Sequence, residues 1–397
     1  NRTRFRDVFY TYAQFQEVSW DSVSENVYMN MRAPYSRPYQ VELQEGYTVK
    51  PVTGAYYYGN DNQVRFTGDE ACKVDISHLE DATRVTLHDV PAFEPRYFQM
   101  DKTVKNEDQI GFYGSLEIDH GKISGEITSQ FKEKMENCTV FFNDKLIYLG
   151  DVEPGQTVEV GNYPVLEYPK NHSFDVASYL SGQSAFDQAN IEDDAYVEAV
   201  EKTNLLSFYL DYYMPSYLSA ARVVGIKTNS GSHSGLIRAG DVEGRTVASS
   251  NVDVYSSEDE ILYRQATQRQ PKVISGNYDE NSNALFGMDP VTLEYSLGSD
   301  IWIQRLTMDF VSDEFLQNGS GTLLKFSGNI YFYNHSTGSF DKQEPAKRDY
   351  DSADLAPYLS PGNTITVKYV YENNSEYNWD VLLPVLNVMG RTIDDRD

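Results

Sequence analysis

The chain has 397 residues, of which 40% are hydrophobic and 23% are charged, a balance that excludes wholesale disorder. Asp and Glu number 60 against 33 Lys and Arg, so the formal net charge is -27. Phosphate backbones and anionic lipid headgroups repel such a chain. We therefore expect neither a nucleic-acid partner nor direct membrane insertion.

The aromatic content favours β-structure. The chain contains 31 Tyr and 19 Phe, whose rings cover a pleated surface well, and 26 Gly and 15 Pro supply turns. A chain of this length exceeds one ordinary core. We predict a mainly β protein with two to three β-sandwich domains of jelly-roll or immunoglobulin-like type, and one inserted or appended α-helix near residues 191–213.

Residues 1–108 are predicted to form an N-terminal β-sandwich domain, because runs such as VFYTYAQFQEVSW and TRVTLHDV alternate apolar and polar residues. In GAYYYGND, Tyr56 and Tyr58 point the same way from a strand. If exposed, this pair could stack on a sugar ring; if buried, it is ordinary sheet core, which the abundance of Tyr favours.

Residues 109–268 are predicted to form an immunoglobulin-like β domain that carries the helix. Strand runs such as CTVFFND and KLIYLGDV precede a segment rich in acidic residues at its start and ended by Pro215, as helices prefer. The apolar residues of that segment recur at near-helical spacing: Val197, Val200, Leu205, Phe208 and Tyr212.

The stretch DKLIYLGDVEPGQTVEV resembles a functional motif but has the composition of a turn. Ile147 and Leu149 would share one face of a strand. Pro154-Gly155 suits the centre of a type II turn, because Pro fixes φ and Gly accepts a positive φ. We expect Asp151 to hold this loop rather than to act on a substrate.

Residues 269–397 are predicted to form a C-terminal β-sandwich domain, with strand runs such as VTLEYSLG and NTITVKYVYEN. In NYDENSNALFGMD, Asp279, Asn281 and Asn283 alternate as the oxygen ligands of a calcium loop do. However, Ala284 stands where an EF-hand loop needs Gly, which favours a plain surface loop. Calcium is the one cofactor for which the sequence offers a candidate site.

Carboxylate pairs could serve a glycoside hydrolase, which needs two acids roughly 5 to 9.5 Å apart. Glu117 with Asp119, and Asp193 with Asp194, are such pairs, but among 60 acidic residues they arise by chance. Solvated surface acids are the simpler interpretation. Whether the chain is an enzyme stays open, and the sequence favours a protein without catalytic activity.

Cys72 and Cys138 are the only cysteines. They form either one disulfide of an exported protein or two buried thiols, and large domains do not need the covalent link. No run approaches the roughly 20 apolar residues of a membrane span. We expect this chain to be a piece of a longer protein, with any anchor outside it.

Two regions carry a family resemblance. GKISGEITSQFKEKMENCTVFFNDKLIYLGDVEPGQTVEV resembles a recurrent extracytoplasmic β-sandwich module, and NIYFYNHSTGSFDK, APYLSPGNTITVKYVY and LLPVLNVMGR are similar to the end of the extracellular region of large uncharacterised membrane proteins from Gram-positive bacteria. The resemblance covers residues of about 111–391. It implies an extracellular location, attachment to the membrane through segments outside this chain, and no catalytic residues.

Three hypotheses about function follow. The first is a non-catalytic extracellular region of a cell-envelope membrane protein that serves interaction or scaffolding, with a protein or a cell-wall glycan as partner. The second is a carbohydrate-binding protein that uses exposed Tyr platforms. The third is a glycoside hydrolase with an Asp/Glu pair.

Overall fold

A computed structural model of the chain describes residues 8–52, 55–58, 64–67, 73–119, 122–182, 193–215, 220–230, 232–237, 241–256, 261–265, 270–287, 289–318, 323–371 and 380–393. The predicted mainly β architecture is confirmed, since strands in several sheets account for most of the regular structure.

The N-terminal third contributes nine strands, seven of which form a two-layer sandwich, while the other two form a separate two-stranded sheet. Met29 and Phe98 of one sheet pack in the same core cluster as Val41 and Val85 of a smaller sheet. The strands are β1 (Phe9–Val18), β2 (Ser22–Arg32), β3 (Tyr39–Gln44), β4 (Thr48–Val52), β5 (Ala55–Tyr58), β6 (Val64–Thr67), β7 (Val74–His78), β8 (Ala82–Leu87) and β9 (Pro95–Lys105).

The middle third adds strands β10 to β17, and its longest strand joins two layers. The strands are β10 (Phe112–Asp119), β11 (Lys122–Ser129), β12 (Met135–Phe142), β13 (Lys145–Val152), β14 (Thr157–Glu159), β15 (Val165–Glu167), β16 (Ala221–Ser230) and β17 (Asp241–Ser256). One edge of β17 pairs with β16, whereas the other edge pairs in parallel with β1 and further along with β10.

The largest sheet therefore contains strands from both of the first two predicted segments. Its order is β15-β13-β12-β16-β17-β1-β2-β9-β4, and β10, β11 and β14 branch from β17. β1 runs antiparallel to β2 and parallel to β17, with Phe9 opposite Asp241 and Glu17 opposite Ser249. The predicted boundary between residues 108 and 109 thus lies between strands of one sheet, and the domain division stays a prediction.

The C-terminal third forms a sandwich of its own. Leu306 and Val388 in one sheet share a core cluster with Phe332 and Val367 in another. The strands are β18 (Ile261–Gln265), β19 (Lys272–Ser275), β20 (Tyr278–Asp279), β21 (Ala284–Leu285), β22 (Val291–Ser296), β23 (Ile301–Asp309), β24 (Leu323–Lys325), β25 (Asn329–Asn334), β26 (Ser339–Lys342), β27 (Asp349–Asp351), β28 (Thr364–Val370), β29 (Asp380–Leu382) and β30 (Val385–Thr392).

The described residues contain four α-helices: α1 (Ser173–Ser181), α2 (Asp194–Tyr212), α3 (Asp313–Asn318) and α4 (Ser352–Leu355). Helix α2 confirms the predicted helix near 191–213, and Asp193 caps it by accepting a hydrogen bond from the N–H of Ala195. Its buried face differs from the predicted stripe. Leu205, Leu206 and Tyr209 are buried, whereas Val197 and Tyr212 of the predicted stripe are exposed.

One apolar cluster crosses from the middle third to the C-terminal third. Phe141 and Leu180 belong to it together with Phe315 of α3 and Leu382 of β29. Its α1 and α3 helices pack against each other. This contact fixes the C-terminal sandwich against the large sheet. No helix among the described segments is both long enough and apolar enough to cross a bilayer.

The turn expected in the Asp144–Val160 stretch is confirmed. The N–H of Gln156 donates to the carbonyl of Glu153 at 3.0 Å, and Gly155 has a φ of 76°. Partial burial alone would raise the pKa of Asp151, but hydrogen bonds from Lys134 and from the backbone of Asn137 lower it instead. Asp151 therefore links β13 to the start of β12, and its predicted role in holding the turn itself stays a prediction.

Candidate binding site

A cleft of about 350 Å³ opens where the end of α2 meets the face of the large sheet. Strand register places alternate residues of β1, β2, β9 and β17 on this face, because Glu17 lies opposite both Ser24 and Ser249. The side chains that share this face and line the cleft are Phe15, Glu17, Ser24, Asn26, Asp101, Thr103 and Ser249. We call this feature the polar–aromatic cleft.

Three stacked rings form the wall of the cleft. The rings of Phe15 and Tyr213 lie 4.3 Å apart with an interplanar angle of 13°, and those of Tyr209 and Tyr213 are inclined by only 6°. Tyr213 follows the last turn of α2, where its N–H donates to the carbonyl of Tyr209 at 2.8 Å. The helix end thus sets the position of the wall.

The hydroxyl of Tyr213 ties this wall to the sheet. It donates to Asn26 Oδ1 at 2.8 Å and lies 3.1 Å from the hydroxyl of Tyr28. Asn26 Nδ2 in turn donates to Asp101 Oδ1 at 2.6 Å, and Gln99 Nε2 donates to the same oxygen at 3.2 Å. A continuous hydrogen-bonded chain therefore runs from the helix to β9.

A buried arginine lies directly beside this aromatic wall. The guanidinium of Arg222 donates to Glu17 Oε1 at 3.0 Å, to Asn251 Oδ1 at 3.0 Å and to the carbonyl of Tyr213 at 3.2 Å. Its side chain is only 6% exposed. A buried charge of this kind is tolerated when its donors are occupied, and its position is then fixed. Burial also raises the pKa of the Tyr209 hydroxyl beside it.

The rim of the cleft carries hydroxyl groups. Ser24 Oγ and Thr103 Oγ1 lie 3.0 Å apart on neighbouring strands. Each hydroxyl can both donate and accept, so the pair offers unsaturated hydrogen-bonding capacity to a ligand. The cleft thus presents hydroxyl, amide, carboxylate and guanidinium groups at fixed positions beside an aromatic wall, which is the chemistry of a site for a small polar molecule.

Two candidates from the sequence fall wholly or partly outside the described residues. Tyr56 and Tyr58 lie in β5, but their side chains are not among those described, so the sugar platform stays a prediction. Cys72 is likewise outside the described residues, and the disulfide stays a prediction. Cys138 is a fully buried thiol in β12, and burial raises its pKa.

The proposed calcium ligands lie on one tight turn between β20 and β21. Asp279 Oδ1 accepts from the N–H of Asn281 at 3.0 Å, the arrangement of an Asx turn. Asn283 is buried with a φ of 51°, and its amide donates to the carbonyl of Leu383 at 3.0 Å. Asp279 and Asn283 thus organise the turn and its attachment to β29, and calcium binding there stays a prediction.

The two predicted carboxylate pairs lie on different elements, one pair on β10 and the other at the start of α2. Glu117 is an exposed residue of β10, as is Asp119, whereas Asp193 is occupied as the N-cap of α2. Within the described ranges, no group of three or more His, Cys, Asp or Glu side chains is arranged to hold a metal ion. The residues of the cleft were not predicted. One signal was available: Arg222 is a single charge in the otherwise apolar run AARVVGI.

Comparisons with known proteins give the following matches. Residues 111–261 match a family described as a domain of unknown function, DUF8725, and residues 259–390 match another, DUF8815. No curated protein matches the chain. Among solved structures, the chain is similar to the yeast delta-COP-I mu-homology domain complexed with a Dsl1 WxWxV peptide and to the same domain alone, with TM-scores of 0.28 and 0.27. Each of these two structures is 8% identical in sequence to this chain, and each match covers 63% of this chain and 97% of the solved one.

Proposed function

We propose that this chain is a non-catalytic extracellular region of a cell-envelope membrane protein, and that it binds a saccharide in the polar–aromatic cleft. The observation that carries the binding proposal is the fixed polar lining of the cleft, in which Arg222, Asn26 and Asp101 are held by hydrogen-bond partners on different elements. The extracellular placement rests on the family resemblance of residues 111–391.

A saccharide suits this lining because its hydroxyls both donate and accept. The Ser24 and Thr103 hydroxyls offer the same dual capacity at the rim, and the volume of about 350 Å³ falls within the range of small-molecule sites. Since the side chains are already ordered by their mutual hydrogen bonds, binding costs little side-chain entropy.

The carboxylates of the cleft support binding rather than hydrolysis. Glu17 accepts from the guanidinium of Arg222, and Asp101 accepts from the amides of Asn26 and Gln99. Hydrolysis of a glycoside instead requires one carboxyl group to donate a proton to the leaving oxygen. These two carboxylates hold the shape of the cleft, and the third carboxylate of the lining, Glu25, accepts from the hydroxyl of Tyr47 at 2.8 Å.

A glycan array followed by calorimetry tests the proposal, with two matched variants. Thr103→Val removes a hydroxyl from the rim, whereas Thr157→Val removes the hydroxyl that pairs with Thr128 at 2.7 Å on β11 and β14. We expect Thr103→Val to weaken the saccharide about 3- to 10-fold, the range of one neutral hydrogen bond, and Thr157→Val to leave the Kd unchanged.

Two results would contradict the binding proposal. If both variants bind every saccharide with equal affinity, the saccharide binds outside the polar–aromatic cleft. Release of a reducing sugar from a bound oligosaccharide, abolished by Glu17→Gln, would show a hydrolase. For the location, we expect surface labelling of intact cells that produce the full-length protein to modify this region, and labelling only after lysis would refute the extracellular placement.

A further inference from the structure

A buried charge cluster lies where the middle part of the chain meets the C-terminal sandwich. Lys145 of β13 contacts Glu167 Oε1 of β15, and its Nζ lies 3.2 Å from Asp309 Oδ2 of β23. The side chains of these three residues are 10%, 15% and 27% exposed, respectively. One ammonium group is thus shared by two carboxylates that belong to different parts of the chain.

Further charged groups face the cluster from each neighbouring element. Asp144 is buried beside Lys145 and lies 3.7 Å from Lys170. Asp309 Oδ2 also accepts a hydrogen bond from Asn387 Nδ2 at 2.5 Å. The remaining titratable neighbours are Tyr168, which lies in the field of Asp144 and Glu167, and Arg305, which is paired with Asp349 and lies in the field of Asp309.

The charge of Glu167 is only partly compensated within the cluster. Its Oε2 atom is buried and has no hydrogen-bond partner. Three carboxylates, from Asp144, Glu167 and Asp309, face two ammonium groups. Ionised carboxylates that share a poorly solvated site repel one another, and an unpartnered buried oxygen adds a desolvation cost.

Glu167 also carries main-chain contacts between the two parts. Its N–H donates to Ser312 Oγ at 2.9 Å, and its carbonyl accepts from the N–H of Ser312 at 3.0 Å. Phe315, three residues after Ser312, packs against Tyr179 with ring centroids 5.1 Å apart. A change of charge at Glu167 therefore acts directly on the contact.

We propose that this cluster makes the contact between the large sheet and the C-terminal sandwich proton-dependent. Protonated Glu167 keeps the contact closed, and ionised Glu167 loosens it. Burial raises the pKa of Glu167 to about 7; Lys145 opposes this rise, and Asp309 and Asp144 reinforce it. Because the pKa is raised above its unfolded value near 4.5, the stabilisation is complete below that value and is lost as the pH rises through 7.

Hydrogen exchange at the amides of Glu167 and Ser312, corrected for intrinsic rates, measures the opening of this contact. Between pH 5.5 and 8, we expect the opening constant of the native chain to rise about 30-fold relative to Glu167→Gln, the change that a pKa of about 7 dictates. Glu117→Gln, which removes an exposed carboxyl group on β10, should follow the native chain.

A second variant keeps the test decisive if Glu167→Gln fails to fold. Asp309→Asn removes a neighbouring negative charge, so we expect the pH midpoint of opening to move downward. Identical pH profiles in the native chain and Glu167→Gln, or an unchanged midpoint in Asp309→Asn, would overturn the proposal. Neither measurement uses a saccharide, so their outcome is separate from that of the binding test.

Discussion

Acid lability should originate at one buried histidine. His233 is 5% exposed, its Nδ1 accepts from the N–H of Gly235 at 3.0 Å, and its Nε2 lies 2.8 Å from Gln14 Oε1. The ring also meets Tyr12 edge-on at 4.6 Å. Both nitrogens are occupied in the neutral form, and a proton added at Nδ1 would face the N–H donor of Gly235.

The size of the expected loss in folding stability follows from the shift in the pKa of His233. Burial, with a smaller contribution from Lys227, lowers the pKa of His233 from 6.5 to about 4. Because the folded value is depressed, the contribution to stability is complete above pH 6.5 and is lost as the pH falls toward 4. The expected loss is about 2 kcal/mol at pH 5 and about 3 kcal/mol at pH 4, from 1.36 kcal/mol per unit of pKa.

Urea unfolding of the native chain and His233→Asn, at pH 7.5 and at pH 5, isolates the contribution of His233 to the pH dependence of stability. Asn retains an acceptor near the N–H of Gly235 but does not titrate. We expect the native chain to lose about 2 kcal/mol more than the variant between the two pH values. The comparison cancels the opposite effect of Glu167. His88→Asn, which removes an imidazole whose Nε2 lies 2.6 Å from Asp75 Oδ2, serves as control. Parallel pH curves for the native chain and His233→Asn would refute the reasoning.

Three further predictions concern stability at neutral pH, each measured by denaturant unfolding. Phe315→Ala should cost about 3 to 5 kcal/mol, because the ring is fully buried between the two parts of the chain; a cost below 1 kcal/mol would show that the contact is loose. Gly155→Ala should cost about 1 kcal/mol, because its φ of 76° strains any residue with a Cβ although nothing crowds the site. Asp193→Ala should cost about 1 kcal/mol by removing the cap of α2, whereas Asp193→Ser should retain most of the stability that the cap contributes. Equal losses in both variants would contradict the capping role.

The strands and the central turn could be predicted because their causes are local. Alternation with a period of two marks a half-buried strand, as in β1, whose burial alternates along most of its length. In Pro154-Gly155, Pro restricts φ at the first central position of the turn, and Gly accepts a φ of 76° at the second. The mainly β architecture and helix α2 follow from patterns of this kind.

The pairing of the strands and the cleft could not be predicted, because their causes are distant. Nothing in the sequence of β1 shows that it pairs in parallel with β17, since a parallel neighbour requires only another apolar strand. The cleft joins Glu17 to Arg222 and Asn26 to Tyr213, pairs that no spacing rule connects. Helix α1 has only nine residues, too few for a periodic signal to stand out.

The parallel pairing of β1 with β17 also sets an order of assembly. A ribosome delivers the amino end first, so β1 and β2 are available as a hairpin long before Asp241 to Ser249, the residues that complete β1, have been made. Until then β1 keeps one edge of unpaired backbone groups, and such an edge can recruit other chains. A fragment that ends before Asp241 would leave β1 with an open strand edge, and we expect such fragments to aggregate even though strands β1 to β9 are all present.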